Sequence, residues 1–351
     1  MPDSLRIMSF RDIPLTDPFF DSLKRDYYEF PQWFARKAAE EAYVQYADGK
    51  IIGFMYPKPE VGRVKDVTPR LSKGLHVKIG SLKVEAAGIK FGEVLIKKAL
   101  DHAIACAADD VYITIFSRHG PLIDLLQQFG FKERGFKATD NGAETVLLKR
   151  LNPPPISGDV RKDYPLVNTR SGRYYLLSVR PECHSALFPD SILTSDSYDL
   201  LSDLSQTNCI TKTHISGTEH VRSLAAGDKL VIYRTPDGQG PAECRSAVTS
   251  ICVVEESRAK RSFGTQREYV RYAQPRSVLS EADLKSWWHK PSMRVIKMLY
   301  NAALTRKLDR KILAAEIGLD RRANWGFTPL SRNQFLRICA LGGVTERRIV
   351  R

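Results

Sequence analysis

The stretch Ile79-Gly-Ser-Leu-Lys-Val-Glu-Ala-Ala-Gly-Ile-Lys-Phe-Gly-Glu93 joins an expected strand to an expected helix through a glycine-containing turn. Unpaired N–H groups at a helix start attract anions, and glycine lets backbone approach a phosphate closely. The chemistry of such a turn is the holding of a phosphate or pyrophosphate, although a plain tight turn uses the same residues. Four side chains nearby in the sequence, Glu85, Tyr112, Ser117 and His119, are of types that act as general acids or bases. Glu85 equally suits a solvated strand end, and His119 an exposed loop. A second group suits nucleic acid. Arg180 offers a bidentate fork for phosphate or a guanine edge, and Tyr233 a ring for a base. Lys285, Trp287, Trp288, Arg321, Arg322 and Trp325 interleave cations with aromatics, as single-strand binders do. The alternatives are an ion pair at a sheet rim for Arg180 and packing anchors for the tandem tryptophans.

The placement of charge narrows these readings. The 351 residues carry 54 Lys+Arg against 40 Asp+Glu, a net +14. Residues 1–150 and 151–280 account for +3 and +2, leaving +9 on residues 281–351. A local excess of that size points to a polyanionic partner more strongly than a uniform one. Hydrophobic residues make up 43% and charged residues 27%, a globular balance. No apolar run approaches the roughly 20 residues of a membrane span, and Met1–Phe10 lacks the cationic start and apolar run of a secretory signal. The six cysteines are scattered without a C-x-x-C pair. They read as reduced thiols of a cytoplasmic protein, with no metal site.

The elements that must position these residues fall into blocks. Leu151-Asn-Pro-Pro-Pro-Ile-Ser-Gly158 breaks both helix and sheet and marks a linker over 151–160. Before it, Glu41–Ala47 and Lys50–Tyr56 form a hairpin around Asp48-Gly49. Leu75–Val84 is a strand, Phe91–Ala107 a helix, Asp110–Phe116 a strand and Gly120–Phe129 a helix. Phe131–Phe136 and Glu144–Arg150 close the block as a hairpin. Residues 1–150 are therefore a mixed α/β domain. Over 161–280, strands at Tyr174–Arg180, Lys229–Thr235 and Ala247–Glu255 suggest a small β-barrel. Over 281–351 the pattern predicts a basic helical extension, with a capped start at Ser280 and Asp283 and helices at Met293–Leu304, Leu308–Ile317 and Ser331–Leu341.

With Tyr112–Phe116 and the Phe129-Gly-Phe131 that ends the next helix, the Ile79–Leu100 segment resembles the GNAT N-acetyltransferases over roughly residues 5–150. The resemblance implies a splayed mixed sheet and acetyl-coenzyme A as cofactor. It places the pantetheine arm along Leu82, Lys83 and Val84, and the pyrophosphate at Gly88, Lys90, Phe91, Gly92 and Glu93. The family's usual tyrosine acid is replaced here by Leu126, which leaves His119, Tyr112 and Glu85 as catalytic candidates. Tyr175–Phe188, with Arg180-Pro181-Glu182, and Ala225–Tyr233 resemble ASCH domains of the PUA-like barrels over about residues 172–280. That resemblance implies contact with RNA.

The combined expectation is an N-acetyltransferase acting on an amine, linked to RNA or aminoacyl-tRNA. Its alternative is a catalytically inactive nucleic-acid-binding regulator or sensor of the same build.

Overall fold

The computed structural model describes residues 4–85, 89–191, 209–238, 243, 245–323 and 325–351. The chain divides into two compact units, one ending at Pro155 and one beginning at Ile156.

The first unit is built on a seven-stranded sheet. Its strands are β1 (Ser4–Ser9), β2 (Glu41–Ala47), β3 (Lys50–Gly62), β4 (Gly74–Val84), β5 (Asp110–Ile115), β6 (Lys132–Thr139) and β7 (Gly142–Arg150). They lie in the order β1-β2-β3-β4-β5-β7-β6. The β2–β3 turn forms where expected, because Asp48 and Gly49 both take the positive φ that a two-residue hairpin requires (48° and 78°). The helices are α1 (Asp21–Asp26), α2 (Phe30–Arg36), α3 (Ile89–Ala105) and α4 (Gly120–Gln128). In α3, Val94, Leu95, Ala99, Leu100 and Ala103 recur at helical spacing and are all fully buried. A cluster of rings including Phe10, Phe20, Phe30, Phe34, Phe54 and Tyr56 seals α1 and α2 to β2 and β3. Edge-to-face contacts such as Phe10–Phe34 at 4.7 Å fix their angles.

One junction decides the shape of this unit. β4 and β5 are parallel and pair only across His76–Ile79 and Asp110–Ile113. Beyond that register they part, although both strands continue. On its other side β4 stays paired with β3 up to Val84, with an irregularity at Tyr56/Pro57 that leaves Gly80 without an opposite residue.

In the second unit, α5 (Val160–Asp163) precedes β8 (Val167–Asn168), β9 (Tyr174–Val179) and α6 (Pro181–Leu187). Then come β10 (Thr211–Ser216), β11 (Lys229–Arg234), β12 (Ala247–Ala259), α7 (Gln266–Ala273), α8 (Glu281–Trp288) and β13 (Arg294–Asp309). The chain ends with α9 (Arg310–Ile317), β14 (Phe327–Leu330), α10 (Arg332–Leu341) and β15 (Ile349–Val350). Six strands form one sheet in the order β10-β13-β12-β11-β9-β14, and β15 pairs with β8. Both faces of the sheet are covered. Leu176, Val231 and Leu304 join the core beneath α9 and α10, while Leu177, Ile232 and Met298 join the core beside Leu187 and Phe188.

Two expectations are corrected here. Among the described residues the sheet is open, with β10 and β14 at its edges, and no closed barrel is present. Residues 281–351 are not a helical extension, because Met293–Leu304 lies within or beside the 16-residue strand β13, which sits between β10 and β12. A strand buried on both faces loses the alternation that announces it. The Ser280–Asp283 capping box and the left-handed Gly318 that ends α9 both form as expected. No helix among the described residues is long and apolar enough to cross a membrane.

Candidate active-site cleft

Where β4 and β5 part, they open a cavity of about 840 Å³. Its walls are Lys78–Val84 of β4 with Glu85 just beyond it, Ile113–Ile115 of β5, residues of α4, and residues of α1 and α2 with the turn between them. Ligands favour such crevices at the C-terminal ends of parallel strands. Among the described residues, the edge of β4 facing the cleft over Ser81–Val84 has no strand partner, so its amides and carbonyls are open to whatever enters. α3 begins at Ile89, and Gly92 in its first turn lines the cleft.

Of the residues expected to hold a cofactor, Leu82, Lys83 and Val84 line the cleft, as does Gly92. A Cβ on Gly92 would fall 2.4 Å from the Leu125 side chain, so glycine there allows α3 and α4 to approach closely. The Lys83 ammonium lies 4.4 Å over the Phe19 ring and contacts its carbonyl; burial lowers its proton affinity. Glu93 is buried. Phe91 is half-buried. Gly88 lies outside the described residues, and of Lys90 only the backbone is described.

The catalytic candidates separate. Glu85 is exposed at the rim of the cleft. His119 lines the wall, with Nε2 3.3 Å from Asp26, whose other oxygen takes Arg118 at 3.0 Å. Tyr112 does not line the cleft: it shares a face of β5 with Thr114 but lies one step back along the strand, fully buried among Val64, Val67 and Leu71. Its hydroxyl donates to Glu60 at 2.6 Å, and it is withdrawn as an acid or base. Leu126 is fully buried as well.

Nothing in the local sequence pattern announced the pair that occupies the remaining wall. The Tyr27 hydroxyl donates to Glu144 Oε1 at 2.5 Å, and both residues line the cleft. Burial first, then this bond, pushes the Tyr27 phenol well above its ordinary range, so it stays protonated. Beside it, Glu29 accepts two hydrogen bonds from the Asn141 amide, at 2.9 and 3.1 Å. These two contacts tie the α1–α2 turn to the β6–β7 hairpin across the cleft. The partners stand 117 residues apart, a distance no local pattern spans. The one available signal was Glu144 itself, a carboxylate beside the apolar run Val146-Leu147-Leu148 of β7.

The nucleic-acid candidates lie in the second unit. Arg180 is exposed, 3.3 Å from Glu182, on a separate cavity of about 180 Å³. Tyr233 is buried, its hydroxyl on Ser246 and its ring edge-on to Trp325, so it presents no face to a base. Trp287 and Trp288 pack against a core of Tyr269, Leu284 and Val295, the anchoring alternative. Lys285 pairs with Glu281 at 2.7 Å. Arg321 is neutralised by Glu243, and Arg322 is exposed. These cations are spread along the chain and do not converge. Among the described residues no group of His, Cys, Asp and Glu is arranged to hold a metal ion.

No protein-family model and no curated protein matches the chain. Solved structures similar to part of it include Arabidopsis thaliana NAA60 in complex with acetyl-CoA. That structure is 16% identical and covers 42% of this chain and 99% of that one, with a TM-score of 0.32. The PaiA N-acetyltransferase from Thermoplasma acidophilum, in complex with coenzyme A, is 15% identical and covers 43% and 99%, with a TM-score of 0.31. A ZmASCH mutant protein from Zymomonas mobilis is 13% identical and covers 48% and 96%, with a TM-score of 0.33.

Proposed function

We propose that the first unit transfers an acetyl group from acetyl-coenzyme A to an amine. The observation that carries this is the unpaired Ser81–Val84 edge of β4 on a cavity of about 840 Å³. An extended, amide-bearing arm fits such an edge as an added strand, and the start of α3, whose Gly92 lines the same cavity, suits a pyrophosphate. When bound, the coenzyme supplies an activated thioester carbonyl. Leu82, Lys83 and Val84 would hold its arm by their backbone, and the helix start from Ile89 to Gly92 its phosphates.

Glu144 would take the proton that the acceptor ammonium must lose before its nitrogen can attack. Tyr27 fixes that carboxylate through Oε1 and, as a protonated phenol, does not compete for the proton. His119, held at Nε2 by Asp26, would as the imidazolium give the departing thiolate the proton of its other ring nitrogen, leaving the ring neutral.

The finer reading is that the amine is carried by RNA or an aminoacyl-tRNA in the cytoplasm. It is supported by the +9 charge of residues 281–351. The test is mass-spectrometric detection of acetyl transfer by the whole chain to three acceptors: aminoacyl-tRNA, peptide amino termini and polyamines. Turnover on aminoacyl-tRNA alone supports the finer reading. Coenzyme binding with no turnover on any of them favours the alternative, a catalytically inactive regulator or sensor.

A further inference from the structure

Two carboxylates on one wall of the cleft have no cation to answer them. Glu144 accepts the Tyr27 hydroxyl, and Glu29 accepts two hydrogen bonds from the Asn141 amide. Both partners are neutral donors, so neither carboxylate is neutralised. Among the described residues no ammonium or guanidinium stands within ion-pair distance of either. The cations that line the same cavity are turned to other groups. Arg118 reaches Asp26 at 3.0 Å, and Lys83 lies over the Phe19 ring. Lys137 is the cross-strand partner of Glu144, yet its ammonium goes to Asp66 at 2.8 Å, with Lys78 4.0 Å from the same carboxylate.

The chain holds the two carboxylates close together on both sides. Tyr27 and Glu29 are two residues apart in the α1–α2 turn, and Asn141 and Glu144 three apart at the β6–β7 hairpin. Three extended residues span at most about 10 Å, which sets the scale of their separation. Glu29 also has a ring beside it. It stands four residues before Trp33 at the start of α2, where the Trp33 amide donates to the Glu29 carbonyl at 2.9 Å. Side chains at that spacing share one face of a helix, and both residues line the cavity. A carboxylate next to an indole is a receptacle for a cation, because charge and ring attract the same sign. Glu144 has a separate duty: in the transfer proposed above it takes the proton of the amine that attacks. Glu29 has no part in that step, so it suits a group that stays cationic throughout.

We infer that the acceptor carries two cationic groups a short aliphatic chain apart, with its reacting amine at Glu144 and a second ammonium at Glu29 against the Trp33 indole. This rests on the transfer reading of the cleft and names the acceptor class within it; it does not depend on whether RNA carries the amine. The reacting amine gives a proton to Glu144 and its nitrogen bonds the acetyl carbon. The carbon–sulfur bond breaks, and the thiolate takes its proton from His119. The second ammonium keeps its proton and stays at Glu29. A free diamine and an aminoacyl group with a basic side chain both present this pattern. A monoamine of equal length leaves Glu29 facing only the Asn141 amide and forfeits the charge-assisted contact.

Steady-state kinetics of acetyl transfer by the full chain test this on two matched pairs, cadaverine against pentylamine and lysinamide against norleucinamide. Within each pair one amine is kept and the second ammonium is lost. The dication should be favoured at least tenfold in kcat/KM in one pair or both, through KM. Preference confined to the first pair names a free diamine as acceptor, and preference in the second an aminoacyl group. Glu29→Gln keeps an oxygen for Asn141 and should cut the preference to less than twofold. Asn141→Ala removes the tie and leaves the charge, so the preference should persist; circular dichroism checks the fold of both variants. Equal use of both members of each pair overturns the inference. So does a preference that survives Glu29→Gln, which would move the second cation to Asp124 or Glu85, or one lost only in Asn141→Ala. If coenzyme binds and no amine turns over, the transfer reading falls, and calorimetry of cadaverine and pentylamine on the coenzyme-loaded chain decides the inference by itself. Cadaverine bound at least tenfold more tightly, with that margin lost in Glu29→Gln, upholds it; equal or absent binding overturns it.

Discussion

The main sheet of each unit contains one pair of parallel strands among the described residues, and the two pairs behave in opposite ways. In the first unit, β4 and β5 are zipped across His76–Ile79 and Asp110–Ile113 and then part. In the second, β9 and β11 stay paired from Tyr174 to Val179 and from Lys229 to Arg234. The parted pair encloses the large cavity. The zipped pair leaves no gap over its paired register, and the smaller cavity lies at the end of that sheet. The surroundings account for the difference. Every residue of β11 is buried, and Leu176 and Leu177 of β9 enter different cores on opposite faces. A gap there would weaken apolar packing on both sides of the sheet. Around β4 the last residues are only half-buried, and the Gly80 irregularity relaxes the pairing with β3 at the point where β5 turns away. A parallel pair becomes a site where packing on its faces stops and its backbone edge stays open.

This contrast can be broken at several points. Removing the carboxylate on the cleft wall has the largest expected effect. Glu144→Gln should lower kcat by about 10²–10⁴ with coenzyme affinity unchanged, as steady-state kinetics would show, and Tyr27→Phe should lower it less. Weakened affinity in place of a lower kcat would make Glu144 a binding residue. Cutting into the zipped pair should act on stability alone. Leu176→Ala removes a fully buried side chain and should cost the second unit about 2–5 kcal/mol in a denaturant titration. Three of the four tryptophans lie in that unit and report on it. Coenzyme binding by this variant should match wild type.

Acid sharpens the contrast further. Burial, then Arg234 and Lys307, push the proton affinity of His184 down to about 3, and that of His214 is pushed to about 4. Unfolded, each takes its proton near pH 6.5, so the unfolded second unit binds more protons below that value. Its stability should fall as pH drops from 6.5 towards 4, by an amount on the order of a few kcal/mol. His76 in the first unit runs the other way. Burial tends to discharge it, but the hydrogen bond and charge of Asp110, 2.7 Å away, outweigh burial and raise its proton affinity. Its contribution is full below pH 6.5 and is lost as pH rises through its folded value. Equal acid sensitivity of the two units in a pH series of melting curves would contradict this assignment.

Much of the first unit was legible in the sequence because its signals are local. Asp48-Gly49 announced a hairpin, the spacing from Val94 to Ala103 a helix, and the glycine turn after Val84 a helix start at the cleft. What escaped was set by contacts distant in sequence. Tyr27 and Glu144 meet only once the sheet is assembled. Tyr112 reads as a candidate until the packing of Val64, Val67 and Leu71 closes it off. In the second unit Val295, Ile296, Met298, Leu299 and Tyr300 are all buried, so the run carried no period of two and was read as helix. The +9 of residues 281–351 holds as a sum, but the fold distributes those cations over strands, helices and loops, which a count along the chain does not show.

The central claim is that the parted strands β4 and β5 form the coenzyme site. Calorimetric titration of acetyl-coenzyme A into the full chain and into Thr114→Trp tests it most directly, because Thr114 lines the cleft and an indole there would fill it. The account predicts one saturable site per chain in the wild type and at least hundredfold weaker binding in the variant, with unchanged circular dichroism. No binding to the wild type up to millimolar coenzyme, or equal binding by both, would contradict it.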